Sequence, residues 1–262
     1  MAATTLNPKT VANNYSVSQF ANDFSKMASS RDGAKDLLEV VINACNWMSH
    51  LGMNKEIAGA TSSTLGPIKQ GFSITDLIHH FGGLYDQIRV SEVKDSDALK
   101  REVFHHAILG VKSGAEFAMF LNTTGLYVIK EGMKSIKTIF WMALGVFDVV
   151  NIYSNVGKIK DYRAQLDQVR IQNHREILES KINLTYLQII QSVTLVAMAA
   201  ISLVSIVFAA AAQGFLFNPV VMLGLSSAWL VLQFVNHFYD KIIAHRENNL
   251  FAVRIWPKAK EA

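Results

Sequence analysis

No aspartate, glutamate, lysine or arginine occurs between Lys181 and Asp240. Leu184 to Ala212 alone exceeds the ~20 apolar residues that span a hydrocarbon layer of about 30 Å. Each large aliphatic in it contributes about −0.3 to −0.6 kcal/mol on the insertion scale. Gln188 and Gln191, near its start, work against them. A second arm, Pro219 to Tyr239, also has the length to cross, with Gln233, Asn236 and His237 near its far end. Between the arms, QGFLFNP supplies Gly214, Asn218 and Pro219, residues that suit a tight turn. Pro219 also fits the first turn of a new helix. A hairpin buried in a soluble bundle needs a polar stripe, and Ala199 to Ala212 offers only two serines. The pattern predicts a transmembrane hairpin over residues 182–239.

Flanking charge orients it. Arg170, Arg175 and Lys181 precede the first arm, and Lys241, Arg246 and Arg254 follow the second, while the turn carries no charge. The positive-inside rule then places both flanks in the cytosol, giving an integral membrane protein with both termini cytosolic. The N-terminal MAATTLNPKTVANNYS is polar and has no apolar h-region, so insertion is expected to rest on internal segments. The chain is 18% charged, below the roughly 25% of soluble domains, and most of that charge precedes the hairpin. The expected organisation is a polar leader at 1–15, a helical cytosolic or membrane-surface region at 16–181, the hairpin at 182–239 and a basic cytosolic tail at 240–262.

Four prolines and no alternating apolar pattern point to an all-α chain. Val17, Phe20, Phe24 and Met27 recur at helical spacing. SSRD offers a helix start, with Ser29 as N-cap and Asp32 three residues on. The following KDLLEVVINACNWMSHL places Leu37, Leu38, Val41, Ile42, Cys45 and Met48 on one face. Lys35, Asp36, Glu39, Asn43 and Asn46 fall on the other. That apolar face has three readings: packing in a bundle, lying on a membrane surface, or binding a cytosolic partner helix. GATSSTLGP, Gly59 to Pro67, reads as a loop, followed by a helix from about Ile68 to Arg89. SEVKDSDA reads as a charged connector and Leu99 to Lys130 as largely helical. Lys134 to Asn151 contains TIFWMALGVF, broken by Asp148. The polar KIKDYRAQLDQVRIQNHREILESK after it reads as a solvated helix or stalk.

Several function classes find no support. The formal charge of +4 comes without a basic run interleaved with aromatics, so no nucleic-acid partner is expected. The single cysteine, Cys45, excludes an internal disulfide and a cysteine-rich zinc site. His79-His80 and His105-His106 are adjacent pairs, and neighbouring residues on a helix diverge by about 100 degrees. Neither pair can chelate one metal through both rings. One ring from each pair could meet across two helices, yet surface or interfacial histidines are the expected reading. HExxH, GxGxxG and GxxxxGK[ST] are absent, and no catalytic, cofactor or metal residue is expected. Asn122-Thr-Thr and Asn183-Leu-Thr match the glycosylation sequon by chance in the expected topology. A pore would need stronger polar groups in the spans than Ser192, Thr194, Ser202 and Ser205.

The order of elements resembles a known family. SVSQFANDFSKMASSRDGAKDLLEVVINACNWMS is similar to the N-terminus of the peroxisomal membrane-elongation peroxins. ITDLIHHFGGLYD resembles their second helix and FAMFLNTTGLYVIKEG their third. A helix like WMALGVFDVVNIYSNVGKIKDY and a C-terminal apolar hairpin follow. The resemblance implies a non-enzymatic protein of the peroxisomal membrane that inserts amphipathic helices among membrane lipids, self-associates as a homo-oligomer and elongates the membrane. The C-terminal KAKEA matches a K-x-K-x-x retrieval signal through Lys258 and Lys260, as in some family members, which would direct the chain to the endoplasmic reticulum. The family's amphipathic helix is basic on its polar face, whereas Asp36 and Glu39 here nearly cancel Arg31 and Lys35. Leu184 to Tyr239 also resembles the bilobed hairpin of chlamydial inclusion membrane proteins. That alternative implies a host-interaction platform on a pathogen vacuole.

Overall fold

The computed structural model describes residues 15–91, 97–129, 131–208 and 218–255, and every regular element among them is a helix. The all-α class therefore stands. The helices are α1 (Val17–Ser29), α2 (Arg31–His50), α3 (Lys55–Gly71), α4 (Ser73–Ser91), α5 (Asp97–Thr123), α6 (Met133–Gln168), α7 (Gln172–Val207) and α8 (Pro219–Ile255).

Local chemistry sets several boundaries. Ser16 caps α1 through a capping box: its hydroxyl accepts from Gln19 N–H and the Gln19 side chain accepts from Ser16 N–H. α1 runs through Ser29, so the expected cap at that residue is displaced. Ser30 is extended and ends α1, and α2 begins at Arg31. The stretch expected as a loop, Gly59 to Pro67, is instead inside α3. Packing overrides its weak propensity: Ala58 is 2% exposed, the Ser62 hydroxyl donates to Asn46 and Lys69 pairs with Glu39 of α2. Gly59 and Gly66 face open space, where a missing side chain loses no contact. The expected stalk is helical to Gln168 and resumes at Gln172, where Ile171 C=O accepts from the N–H groups of His174 and Arg175.

Among the described residues, three helices are long and apolar enough to cross a membrane: α6, α7 and α8, with mean hydropathies of 1.4, 2.2 and 1.5. Only 11%, 17% and 11% of these apolar windows is buried within the protein. Surfaces of that kind need an apolar solvent, which makes the chain compatible with an integral membrane protein. The two expected arms fall in α7 and α8; α6 adds a third candidate span.

The chain divides into two compact units, and α6, α7 and α8 contribute residues to both. The first unit holds the residues up to Ser30, Ile152–Gln191 and those from Val231 onward. Its core is Ile177, Leu184 and Ile243, flanked by Tyr239 and Leu250. α1 packs there through Phe20 and Phe24 against Phe238, at ring separations of 4.5 and 6.4 Å. Tyr15 donates to Asp23 at 2.7 Å, and burial together with that carboxylate pushes its phenol up to about 12. The second unit holds Arg31–Asn151 and Ser192–Leu230.

Candidate functional site

Within the second unit the usual arrangement of apolar inside and polar outside is partly inverted. Its buried residues include Asn43, Ser73, Asp76, Ser113, Glu116, Asp148 and Ser192. Asp76 of α4 is at the centre, with Arg31 Nη2 at 3.2 Å and Lys35 Nζ at 2.8 Å. Glu116 of α5 takes Lys112 at 3.3 Å and Lys35 at 3.6 Å. Buried charges persist only when paired in this way. Burial alone would push the Asp76 carboxyl up, but the hydrogen bond and charge of Lys35, with Arg31 and Lys112, hold it below the usual carboxylate range. Burial would likewise lower the Lys35 ammonium, and Glu116 and Asp76 raise it instead.

Many large apolar side chains of these helices are exposed. On α4, Ile74, Ile78, Phe81, Tyr85 and Ile88 follow each other at steps of four and three residues. They are 42%, 66%, 60%, 67% and 53% exposed. That is a continuous stripe along one helix face. Ile57 and Ile68 of α3, Phe104 and Val111 of α5 and Val40 of α2 are exposed as well.

The α2 residues chosen from the sequence lie between these extremes. Val41 is exposed, while Leu37, Leu38, Ile42, Cys45 and Met48 are half-buried. The opposite, polar face is the one most firmly held. Besides Lys35 and Glu39, Asn43 is buried, donating to Ser226 Oγ at 2.7 Å and accepting from Ser227 Oγ at 3.2 Å. Trp47 Nε1 donates to the same Ser227 at 2.9 Å. α2 is thereby fixed along the first turns of α8.

The candidate spans are joined by small and polar residues, the usual adhesive where lipid removes the hydrophobic driving force. A Cβ on Gly145 of α6 would lie 3.3 Å from that of Ala199 on α7. Asp148 is hydrogen-bonded to Ser192 and Asn151. Asn236 of α8 donates to Gln191 of α7 at 2.6 Å. Of the expected turn, Asn218 accepts from Val220 N–H at 3.0 Å through its side chain and from Val221 N–H at 2.9 Å through its carbonyl. Pro219 opens α8. Gly214, Lys258 and Lys260 lie outside the described residues.

The structure brings the histidine pairs together. His80 Nδ1 and His106 Nδ1 are 3.3 Å apart, and His105 stacks edge-on against Phe147 at 5.1 Å. Burial, then the neighbouring His79 and His106, lowers the His80 imidazole to about 4, with Asp76 opposing. His105 is lowered by burial and by His106, against Glu102. Among the described residues no three His, Cys, Asp or Glu side chains converge on a metal position. One ring from each pair thus meets across two helices, the less expected of the two sequence readings; the α4 stripe has no counterpart in the sequence reading, although the four-three spacing of Ile74 to Ile88 is a usable signal. No protein family matches the chain, and neither a curated protein nor a solved structure matches it.

Proposed function

We propose that this is a non-enzymatic integral membrane protein that shapes an organelle membrane by inserting amphipathic helices into one leaflet and by self-association. The observation that carries the reading is the exposed α4 stripe, backed by an ion-paired polar interior. An isolated amphipathic peptide must nucleate its helix when it meets lipid. Here Asp76 and its partners hold α4 in place beforehand, so little ordering cost opposes insertion. Burying a large apolar side chain is worth about 1.5–3 kcal/mol, and five in a row suffice to seat the helix at the headgroup–acyl boundary. Material added to one leaflet alone expands it and favours curvature. The likeness in element order to the peroxisomal membrane-elongation peroxins supports the same reading, with the flanks of the α7–α8 hairpin in the cytosol.

The test uses the full chain in liposomes, with membrane shape followed by electron microscopy. Ile78→Glu with Phe81→Glu removes the centre of the stripe without touching the ion pairs. Wild type should tubulate vesicles, and the double variant should remain integrated and helical yet leave them round. Unchanged tubulation by the folded variant would overturn α4 as the shaping element.

A further inference from the structure

A cavity of about 260 Å³ opens in the first unit among Lys158 and Tyr162 of α6, Lys181 and Thr185 of α7, and Asp240 and Glu247 of α8. Leu184 and Ile243 close its apolar side. Its place in the sequence is informative. Lys181 is the last charge before the uncharged run and Asp240 the first after it, so the cavity sits where the apolar arms give way to charged helix. The volume falls below the ~300–1,000 Å³ of pockets that engulf drug-sized ligands. It suits a compact polar group whose remainder lies elsewhere.

The charges are of both signs and not all are used. Lys181 pairs with Glu247 at 2.5 Å and lies 6.0 Å from the Tyr162 ring centroid. Lys158 donates to the neutral Asn155 at 3.2 Å. Asp240 makes no ion pair among the described residues. Among the described residues, one cation and one anion therefore line the cavity without a charged protein partner; Tyr162 and Thr185 lie on the same lining, the Thr185 hydroxyl donating to the Lys181 carbonyl at 2.7 Å.

We infer that this cavity binds the headgroup of a zwitterionic phospholipid carrying a primary ammonium, with the acyl chains running along the apolar faces of α7 and α8. Lys158, with the hydroxyl of Tyr162, takes the phosphate diester, and Asp240 takes the ammonium. A lysine recognises phosphate as a point charge with rotatable donors, and a carboxylate accepts hydrogen bonds from an ammonium. Anionic lipid without an ammonium leaves Asp240 facing like charge, which costs affinity. The inference rests on the membrane-spanning reading of α7 and α8, because the same groups would also accept a free phosphate ester of an amino alcohol.

The experiment purifies the full chain in detergent and titrates it with phosphatidylethanolamine, phosphatidylglycerol or water-soluble glycerophosphoethanolamine. Retained lipid is counted by native mass spectrometry and the rise in Tm is followed. Phosphatidylethanolamine should be retained at one per chain and raise Tm. Asp240→Asn should abolish the preference over phosphatidylglycerol, and Lys158→Ala with Asp240→Asn should weaken retention about tenfold or more. Equal binding of phosphatidylglycerol by wild type would overturn the role of Asp240. Equal protection by the soluble ester would replace the lipid with a free ligand. Retention in the folded double variant would overturn the site. Alkaline extraction of wild type from membranes is run alongside: release of the protein would overturn the spanning arms and the lipid source together, whereas failure of lipid retention in a protein that resists extraction defeats the site alone.

Discussion

At residue scale, Gly83 shows how closely α4 and α5 approach. A Cβ built there would fall 2.5 Å from Cε1 of His106, far inside contact distance. Gly83→Ala should therefore force the imidazole out of its place beside His80, and overpacking of this kind costs about 1–3 kcal/mol. Adding His106→Ala should recover most of that loss, and a double-mutant cycle on thermal unfolding in detergent measures the coupling. Acid should act on the same cluster. His80 titrates at about 4 in the fold against about 6.5 when unfolded, so between those values the unfolded chain binds more protons. Stability should be full above pH 6.5 and fall as pH drops toward 4. Asp76, held low by Lys35, loses its contribution only as pH falls through its own folded value. His80→Ala should flatten the upper part of this acid limb and leave the lower part, as read by unfolding midpoints from pH 7 to 2. An unchanged upper limb would show that His80 is not its source.

At the scale of elements, the candidate spans make a distinct prediction through Asn236 and Gln191. Replacing Asn236 with leucine leaves Gln191 without its donor. Interhelical hydrogen bonds in membranes average about 0.6 kcal/mol and reach about 1.7. A loss in that range is expected for Asn236→Leu, largely reversed by adding Gln191→Leu, with unfolding in mixed micelles as the readout. What could be read of these elements from sequence followed the strength of the local signal. The charge-free run placed α7 and α8 because insertion is a sum over one segment and needs no knowledge of neighbours. α3 was misread because Gly59, Gly66 and Pro67 are local breakers, whereas its stability comes from Ala58, Ser62 and Lys69 against α2. On α2 the apolar face was seen, but the partners that fix its polar face, Asp76, Glu116 and Ser226, are distant in the chain. Asp148 concealed α6 as a candidate span, since its compensating groups include Ser192 on another helix.

At the scale of the whole molecule, topology depends on how many helices cross. Basic residues flank the hairpin at both ends, so Gln165 and Asn248 should share the cytosolic face. α1 packs on Phe238 beside them in the same unit, which places Ser18 on that face too. α6 runs the other way along α7, with Gly145 against Ala199 and Asp148 against Ser192. If α6 crosses beside α7, Glu131 before it emerges on the far side, and because Ser18 then lies on the opposite face the segment between them must supply one further crossing. Lys134 and Lys137 oppose this arrangement, because the positive-inside bias favours keeping them in the cytosol. They sit in the first turns of α6, however, where long side chains snorkel to the interface at modest cost. Asp148 is the larger penalty, up to about 2.5–3.5 kcal/mol at mid-span, and its hydrogen bonds to Ser192 and Asn151 offset part of it. In a Cys45→Ala background, single cysteines at Ser18, Gln165 and Asn248 should label with an impermeant maleimide from the cytosolic side. A cysteine at Glu131 should label only after the membrane is permeabilised if α6 and one segment before it both cross. Cytosolic labelling at Glu131 would make α6 a surface helix and leave a two-pass chain, and protection at Gln165 or Asn248 would sink the hairpin orientation itself.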